Sequence, residues 1–300
     1  MVVIDVQQHP VAKELPLKRA EDHFAFMDKN GIDFALLSNN MPHPDDSNVP
    51  FFEKMNDAII ERAKSYPERF LACPAIPIHN SKAALHELER VNDVFELHAL
   101  KITPVMGRID NEELDPFYAR VSELDVPVVV HPTFSEPPYK LLWSEKFHLN
   151  AGIGFAIDST IAIGWLAMSG FLDRFPKLKI LIHHLGGAAP FALGRLEALY
   201  DECVPMANKR PTEYMRMLYF DTVCYDPAPL ELTLNVVGPE HLMFGTDFGC
   251  PSRGLVDPER FTRQINGLDI SREDKAKIFG ENAARLFNLP KKKVAPITPF

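Results

Sequence analysis

Three imidazoles and a carboxylate, those of His9, His131, His184 and Asp247, each stand at the end of an apolar, β-branched segment of the chain. Neutral imidazole and carboxylate are the ligands that zinc and related divalent cations prefer in proteins. A single histidine in such a position is more often a hydrogen-bonded rim residue than a ligand. The recurrence of the pattern predicts a divalent metal site, provided that the fold brings these ends together.

The apolar segments themselves recur along the whole chain. Eight of them are candidate strands, at residues 2–6, 34–38, 71–76, 99–103, 126–131, 179–184, 218–224 and 242–247. Amphipathic segments, which predict helices, occupy residues 20–29, 52–65, 82–91, 116–124, 160–174, 189–200, 229–236, 259–264 and 272–287. Most of the eight segments are apolar throughout, as expected of parallel strands that are covered on both faces.

Eight strands alternating with helices predict an α/β fold, a single (β/α)8 TIM barrel. A doubly wound sheet is the alternative, but residues 7–10 read Gln-Gln-His-Pro where that fold has a glycine-rich phosphate loop. In a barrel of this kind the carboxyl ends of the strands meet at the active-site mouth. Polar residues at those ends are Gln7, His9, Asn39, Asn40, Lys101, His131, His183, His184 and Asp247.

The composition limits the partners of the protein. Its 300 residues carry 32 Lys and Arg against 41 Asp and Glu, a net charge of -9. This charge opposes attraction to nucleic acid and to anionic membranes, so neither is an expected partner. The four cysteines form no CxxC pair, and the first residues lack the pattern of a signal peptide, so we expect a cytoplasmic protein with free thiols.

No repeat or linker divides the chain, and residues 1–300 are predicted to form one barrel domain. Residues 134–154, which contain Trp143, are a long connection that could cover the site as a lid. Residues 290–300 are predicted to be an extended tail. The most apolar stretch, residues 161–172, is too short to span a bilayer and is expected to be a buried helix.

Several short motifs, in a specific order and spacing, resemble a known family over nearly the whole chain. They are residues 4–9 (Ile-Asp-Val-Gln-Gln-His), 56–57, 66–70 (Tyr-Pro-Glu-Arg-Phe), 127–132, 169–170, 175–179, 184–191 (His-Leu-Gly-Gly-Ala-Ala-Pro-Phe), 194–196, 244–248 (Phe-Gly-Thr-Asp-Phe) and 282–286. The chain is similar to the amidohydrolase-related family that includes aminocarboxymuconate semialdehyde decarboxylase and the γ-resorcylate decarboxylases.

This resemblance implies that His9, His131 and Asp247 bind a divalent cation, usually zinc and in some members manganese, with no organic cofactor. It implies that His184 is the catalytic acid/base, acting together with Asp247. Neighbouring residues of a strand face opposite sides, so only one of His183 and His184 can face the barrel interior. The family spacing His-x-Gly-Gly selects His184, and His183 is then expected to pack toward the helices.

Gln7 departs from the family pattern, which has histidine or glutamate at this position. An amide oxygen can bind a cation, but it brings no charge, so we expect Gln7 to be a weak metal ligand. Alternatively, Gln7 forms hydrogen bonds across the barrel and the metal has three protein ligands. In the most severe interpretation the metal is lost and the barrel is catalytically silent.

The expected activity is metal-dependent, non-oxidative decarboxylation of an aromatic or conjugated unsaturated carboxylic acid. A metal-dependent hydrolase or hydratase acting on a similar compound is the alternative, because the same groups can activate water. Arg253, Lys101, Trp143 and Phe248 are candidate substrate-binding residues; the alternatives are a rim ion pair for the lysine and core packing for the aromatic residues. The resemblance also implies a homodimer.

Overall fold

Eight parallel strands form the centre of the fold in a computed structural model that describes residues 1–10, 17, 19–39, 49–104, 107–132, 147–202, 207–249 and 258–290. In chain order the strands are β1 (Ile4–Gln8), β2 (Phe34–Leu37), β3 (Phe70–Ala72), β4 (Leu100–Ile102), β5 (Val128–Val130), β6 (Ile180–Ile182), β7 (Tyr219–Asp221) and β8 (Leu242–Met243). They pair in sequence order within two sheets, β1 to β3 and β4 to β8. Each strand overlaps one of the eight predicted segments.

Backbone hydrogen bonds join the two sheets at both edges and close them into a barrel. Lys101 N–H donates to the Pro74 carbonyl at 2.7 Å, which links the end of β3 to β4. On the other side, His9 N–H donates to the Phe248 carbonyl at 2.7 Å and links the end of β1 to the chain after β8. The predicted (β/α)8 barrel is confirmed, and the end of β1 is held beside the end of β8.

Helices surround this barrel, and their bounds are α1 (Ala20–Lys29), α2 (Val49–Ser65), α3 (Ser81–Val94), α4 (Asp115–Leu124), α5 (Phe155–Met168), α6 (Phe171–Arg174), α7 (Ala189–Tyr200), α8 (Pro211–Met215), α9 (Pro227–Val237), α10 (Pro258–Gly267), α11 (Arg272–Ala276) and α12 (Asn282–Leu286). The single helix expected at 160–174 is instead α5 and α6, because Gly170 between them has a φ of 74°. The helix expected at 272–287 is α11 and α12, joined by a π-helical turn at Lys277–Glu281. The short helix α8 was not predicted.

The helical segment Asn150–Met168, which contains α5, is longer than the predicted apolar stretch. It has 19 residues, and by length and composition alone it could cross a membrane. The core helix of a globular protein passes the same test, and 44% of an 18-residue window of this segment is buried within the fold. It packs against α7 and α8 as part of the helical layer. Residues 133–146 and 291–300 lie outside the described residues, so the one-domain, lid and tail assignments stay predictions.

Alternating strand residues separate the barrel interior from the layer under the helices. On β5, Val128 and Val130 belong to the apolar core beneath the helices, whereas Val129 belongs to the smaller core inside the barrel. Lys101 is paired in register with Val129. The lysine therefore faces the barrel interior, where it is fully buried.

Asn56 on α2 connects the chain after β3 to α3 through three buried hydrogen bonds. Its amide donates to the Ala75 carbonyl at 2.8 Å and to Glu87 at 2.6 Å, and its oxygen accepts from Ala75 N–H at 2.8 Å. These bonds fix the backbone at Ala75, the residue that pairs with Lys101 of β4.

We expect Asn56→Leu to lower the free energy of unfolding by about 3 kcal/mol or more, because buried polar groups left without partners each cost about 1–3 kcal/mol. Urea denaturation would measure the change. Asp57→Ala, which removes an exposed ion pair with Arg90, serves as the control and should cost about 1 kcal/mol or less. Equal losses in the two variants would contradict this role of Asn56.

Candidate active site

The fold brings together the three residues that the sequence singled out as metal ligands. One ligand atom from each of His9, His131 and Asp247 lies within 4.8 Å of the others, and all three side chains are buried. The residues follow β1, β5 and β8 at the carboxyl end of the barrel. His9 Nε2 is 3.0 Å from Asp247 Oδ1. Two imidazoles and one carboxylate at this spacing form a candidate site for one divalent cation.

The hydrogen bonds behind the two imidazoles orient them as ligands. His9 Nδ1 is 2.8 Å from the Ser38 carbonyl, and His131 Nδ1 is in hydrogen-bond contact with the Pro132 carbonyl. A carbonyl oxygen only accepts, so Nδ1 of each ring carries a proton. With a cation bound, each Nε2 would present a lone pair to it, which is the tautomer that a metal-binding histidine requires. Without a cation, His9 Nε2 faces Asp247 Oδ1 at 3.0 Å and donates to it when it carries a proton as well.

The carboxyl and imidazole groups also have the charge states that a cation needs. Burial alone would raise the pKa of Asp247, but the hydrogen bond and charge of His9, with His184 and Gln7, hold that pKa below its usual value. Burial lowers the pKa of His131 well below its usual value, and nearby Lys101 adds to the effect. The site thus combines a carboxylate with a neutral imidazole near neutral pH.

Gln7 reaches into the middle of this site. Its Nε2 lies 2.9 Å from Asp247 Oδ1, 3.2 Å from His131 Nε2 and 3.0 Å from His184 Nε2. The side chain is fully buried, and its Oε1 has no hydrogen-bond partner within the part of the chain that the structure describes. The hydrogen bonds across the barrel that were expected as an alternative for Gln7 are present.

Asp5 on β1 connects the two strands that carry the candidate ligands. Its carboxylate accepts hydrogen bonds from Gln7 N–H at 3.1 Å, Thr246 N–H at 3.0 Å and Gln8 Nε2 at 2.7 Å. Burial raises the pKa of Asp5 to about 7 despite these bonds. The Asp5 carboxyl group therefore holds the backbone of Gln7 in place relative to Thr246, the residue before Asp247. The sequence analysis named Asp5 only as part of the motif at residues 4–9 and assigned it no role.

His184 sits on a tight turn directly after β6. His184 and Leu185 both have a φ of 54°, in the left-handed region. Leu185 N–H donates to Asp221 Oδ1 at 2.9 Å, so the carboxyl group at the end of β7 holds this turn in place. Gly187 allows the turn to lie against α5, because a Cβ atom there would be 2.0 Å from the Ala156 carbonyl. The sequence analysis did not identify Asp221, because nothing in the sequence distinguishes it from other polar residues within predicted strands.

Burial lowers the pKa of His184 to about 4, although the charge of Asp247 acts in the opposite direction. Its imidazole is therefore neutral near pH 7 and can accept a proton. The side chain is partly accessible, in contrast to the fully buried imidazole of His9. An accessible, neutral imidazole beside a cation site is suited to acid/base work on a bound molecule.

The expected position of His183 was wrong. Its ring is fully buried and lies 5.2 Å from the ring of His131, and it reaches the backbone of Val6 on β1. His183 therefore faces the barrel interior and not the helices. His183 continues the alternation of β6, because Leu181 belongs to the core inside the barrel and Ile182 to the core beneath the helices. His184 also reaches the site because the backbone leaves the extended conformation there, at a φ of 54°. The inference that only one of the two histidines faces the interior therefore failed.

The candidate substrate-binding residues have different surroundings. Lys101 is fully buried in the barrel interior, where its Nζ donates to the Asn39 carbonyl at 2.5 Å. Burial lowers the pKa of this lysine to about 7. The half-buried ring of Phe248 stacks on that of Phe26 on α1, with the ring centroids 3.7 Å apart. Arg253 and Trp143 lie outside the described residues.

Three proteins of known activity are similar to this chain in sequence. A γ-resorcylate decarboxylase of Rhizobium sp. is 28% identical over 88% of this chain and 85% of its own length. A 2-keto-4-carboxy-3-hexenedioate hydratase of Sphingobium sp. is 30% identical over 86% of this chain and 79% of its own. A 2-amino-3-carboxymuconate-6-semialdehyde decarboxylase of Dictyostelium discoideum is 27% identical over 78% of this chain. That match spans 66% of the relative, just under two thirds of its length.

The fold is similar to that of a 2,6-dihydroxybenzoate decarboxylase, whose crystal structure was determined in complex with 2,6-dihydroxybenzoate. The TM-score is 0.84 over 96% of this chain and 99% of the other, at 22% sequence identity. This likeness supports the barrel architecture. The model of a protein family described as amidohydrolase matches residues 4–289. Because this match covers nearly the whole chain, the protein belongs to the amidohydrolase family.

Proposed function

We propose that the protein is a metal-dependent, non-oxidative decarboxylase of an aromatic or conjugated unsaturated carboxylic acid. The observation that carries the proposal is the position of His184, whose Nε2 is 3.0 Å from the Gln7 amide at the centre of the candidate metal site. A side chain that can transfer protons thus lies beside the position where a bound cation would hold substrate oxygens. The similarity to a γ-resorcylate decarboxylase and to a carboxymuconate semialdehyde decarboxylase supports the same reaction class.

Each residue of the site has a separate role in the proposed reaction. His9, His131 and Asp247 would hold the cation, and Gln7 could add its amide oxygen as a weak ligand only after its side chain turned. A bound cation would supply charge that orients and stabilises substrate oxygens. Neutral His184 accepts a proton from an acidic substrate hydroxyl or from solvent. It then delivers that proton to the carbon bearing the carboxylate. The bond to the carboxylate breaks, carbon dioxide leaves, and the electron pair returns to the conjugated system.

The zinc assignment follows from the donor set, because two imidazoles and a carboxylate are typical zinc ligands, with manganese as the alternative. No organic cofactor is needed for this reaction. We assign substrate-carboxylate binding to Lys101 and Arg253, and the walls of the pocket to Trp143 and Phe248. Lys101 lies in the barrel interior, and its charge contributes to lowering the pKa of both His131 and His184.

A homodimer in the cytoplasm is the expected form of the protein. Exposed apolar side chains on and near neighbouring helices α5 and α7 support self-association: Phe191 is 83% and Phe147 66% exposed, and Ile161 is also exposed. The described cysteines Cys73 and Cys224 are buried free thiols, in keeping with a reducing compartment. Sedimentation of the purified protein would measure its oligomeric state.

The test of the proposed reaction is a product measurement. Protein purified without chelator and supplied with zinc or manganese is incubated with a panel of hydroxybenzoic and conjugated dicarboxylic acids. Decarboxylation releases one carbon dioxide per acid consumed and takes no oxygen from labelled water into the product. Consumption of an acid without carbon dioxide release would overturn the proposal.

A hydratase is the second candidate, and the 30% identical 2-keto-4-carboxy-3-hexenedioate hydratase is the observation that favours it. The same assay distinguishes the two reactions, because a hydratase incorporates labelled water oxygen and releases no carbon dioxide. A catalytically silent barrel is tested by elemental analysis. Protein that contains no divalent metal and gains none on adding zinc or manganese would exclude both enzymatic functions.

Asp221 is a positioning residue in this proposal, since it holds the turn that carries His184. We expect Asp221→Ala to lower kcat by about 100-fold, because a displacement of about 1 Å in a catalytic group can cost that much. KM and metal content should stay unchanged. Asp221→Asn keeps an acceptor oxygen for Leu185 N–H and should retain most of the activity. If the asparagine variant were as impaired as the alanine variant, the hydrogen bond to the turn would not explain the role of Asp221.

A further inference from the structure

The orientation of the Gln7 amide is determined by its neighbours. His131 uses Nδ1–H to donate to the Pro132 carbonyl, so its Nε2 is an acceptor. Asp247 Oδ1 is an acceptor as well. Both atoms lie within 3.2 Å of the same terminal atom of Gln7, and His184 Nε2 lies 3.0 Å from it. Only the amide nitrogen, which donates, is compatible with these contacts.

The atoms that receive these contacts are also the atoms a cation would bind. His131 Nε2 and Asp247 Oδ1 belong to the candidate ligand set, so the Gln7 amide and the cation compete for the same lone pairs. An amide nitrogen has no lone pair available for a metal, and Gln7 in this orientation is therefore a donor to the site and not a ligand of it. Ligation by Gln7 requires the amide to turn by half a rotation, so that its oxygen faces inward.

A second observation concerns the surroundings of the Gln7 amide oxygen. Gln7 Oε1 is buried and has no hydrogen-bond partner among the described residues, although an unsatisfied buried acceptor is costly. The contacts of the nitrogen with the site outweigh this cost. If the oxygen turned inward without a cation, it would face two or three acceptors at about 3 Å, which is repulsive. The amide nitrogen therefore faces inward when the site holds no cation, and the amide oxygen can face inward only when a cation is bound.

We propose that the Gln7 carboxamide is an internal competitor for the metal, donating to the ligand atoms in the metal-free protein and turning away or presenting its oxygen when a cation binds. This inference rests on the proposed metal site and adds how that site is loaded. The competition weakens metal binding, and the same hydrogen bonds keep His131 and Asp247 in position when the metal is absent. The protein would then gain and lose its metal readily, with little change in fold.

Two variants test the competition by zinc titration calorimetry and by thermal unfolding in chelator. Gln7→Ala removes the competitor: we expect zinc affinity within about threefold of the wild type, or tighter, and a fall in the metal-free melting temperature of about 3 °C. Gln7→Glu replaces the donor with a charged ligand and should bind zinc at least about 100-fold more tightly. A zinc affinity at least tenfold weaker in Gln7→Ala, with an unchanged metal-free melting temperature, would mean that Gln7 is simply a ligand and would overturn the proposal.

A measurement on the wild-type protein tests the competition directly. The side-chain amide signal of Gln7 in a nitrogen–proton NMR spectrum, assigned by its absence in Gln7→Glu, should show slow hydrogen exchange in chelator. Saturation with zinc should shift this signal and speed its exchange. An unchanged signal in zinc-saturated protein would overturn the proposal. If neither the wild type nor Gln7→Glu bound zinc, the metal site itself, and with it the proposed function, would fail.

Discussion

His184→Ala is expected to reduce turnover by about 1,000-fold while the metal content stays at the wild-type level, since general acid–base groups contribute about 10²–10⁴-fold to rates. The variant removes the only imidazole of the site that is partly accessible, and it leaves untouched the three candidate ligands, His9, His131 and Asp247. Steady-state assays of carbon dioxide release and elemental analysis of the same sample would measure both quantities.

The matched control for this experiment is His86→Ala. His86 is an exposed residue of α3, so removing its imidazole should change neither turnover nor metal content. Turnover of His184→Ala within tenfold of the wild type would show that another group moves the proton. A parallel loss of metal would instead make His184 a ligand, since its Nε2 is 3.0 Å from the amide at the centre of the site.

The sequence was sufficient to predict the barrel and the meeting of the candidate ligands. Parallel strands buried on both faces must be apolar, so the eight strands were visible as apolar segments, and polar residues at their carboxyl ends had to meet at one mouth. His9, His131 and Asp247 come together for this reason. The strand bounds were less well predicted, because apolar residues also continue into the turns that follow the strands.

The residues that the sequence did not reveal act through contacts between distant parts of the chain. Asp221 supports a turn that lies 36 residues earlier, and nothing in the spacing distinguishes it from other strand residues. His184 joins His183 in the site because the backbone leaves the extended conformation at His184, which strand alternation cannot anticipate. The donor orientation of Gln7 depends on acceptors 124 and 240 residues away. Local sequence patterns therefore identified the candidate ligands, whereas the groups that orient them could be identified only from the three-dimensional structure.

Asp247→Asn is expected to lose metal and activity together. Asp247 is the only charged member of the candidate ligand set, and without it the cation would be held by the two imidazoles of His9 and His131. We expect metal affinity to fall by more than about 100-fold, beyond the 10- to 100-fold loss typical for removing a residue that merely supports a ligand. Asparagine is the suitable replacement, because Asp247 has a φ of 57°, a conformation that asparagine tolerates better than alanine.

Elemental analysis after gel filtration would measure the loss of metal, and a titration with zinc or manganese would show whether activity returns at high metal concentration. Such a return is expected, because the variant lacks affinity and keeps His184 as its proton carrier. Asp226→Asn is the matched control: this exposed residue caps α9, a role that asparagine also fills, so its metal content should not change. Full metal occupancy in Asp247→Asn would mean that the cation is held elsewhere, and the proposed division of roles between Asp247 and His184 would then be wrong.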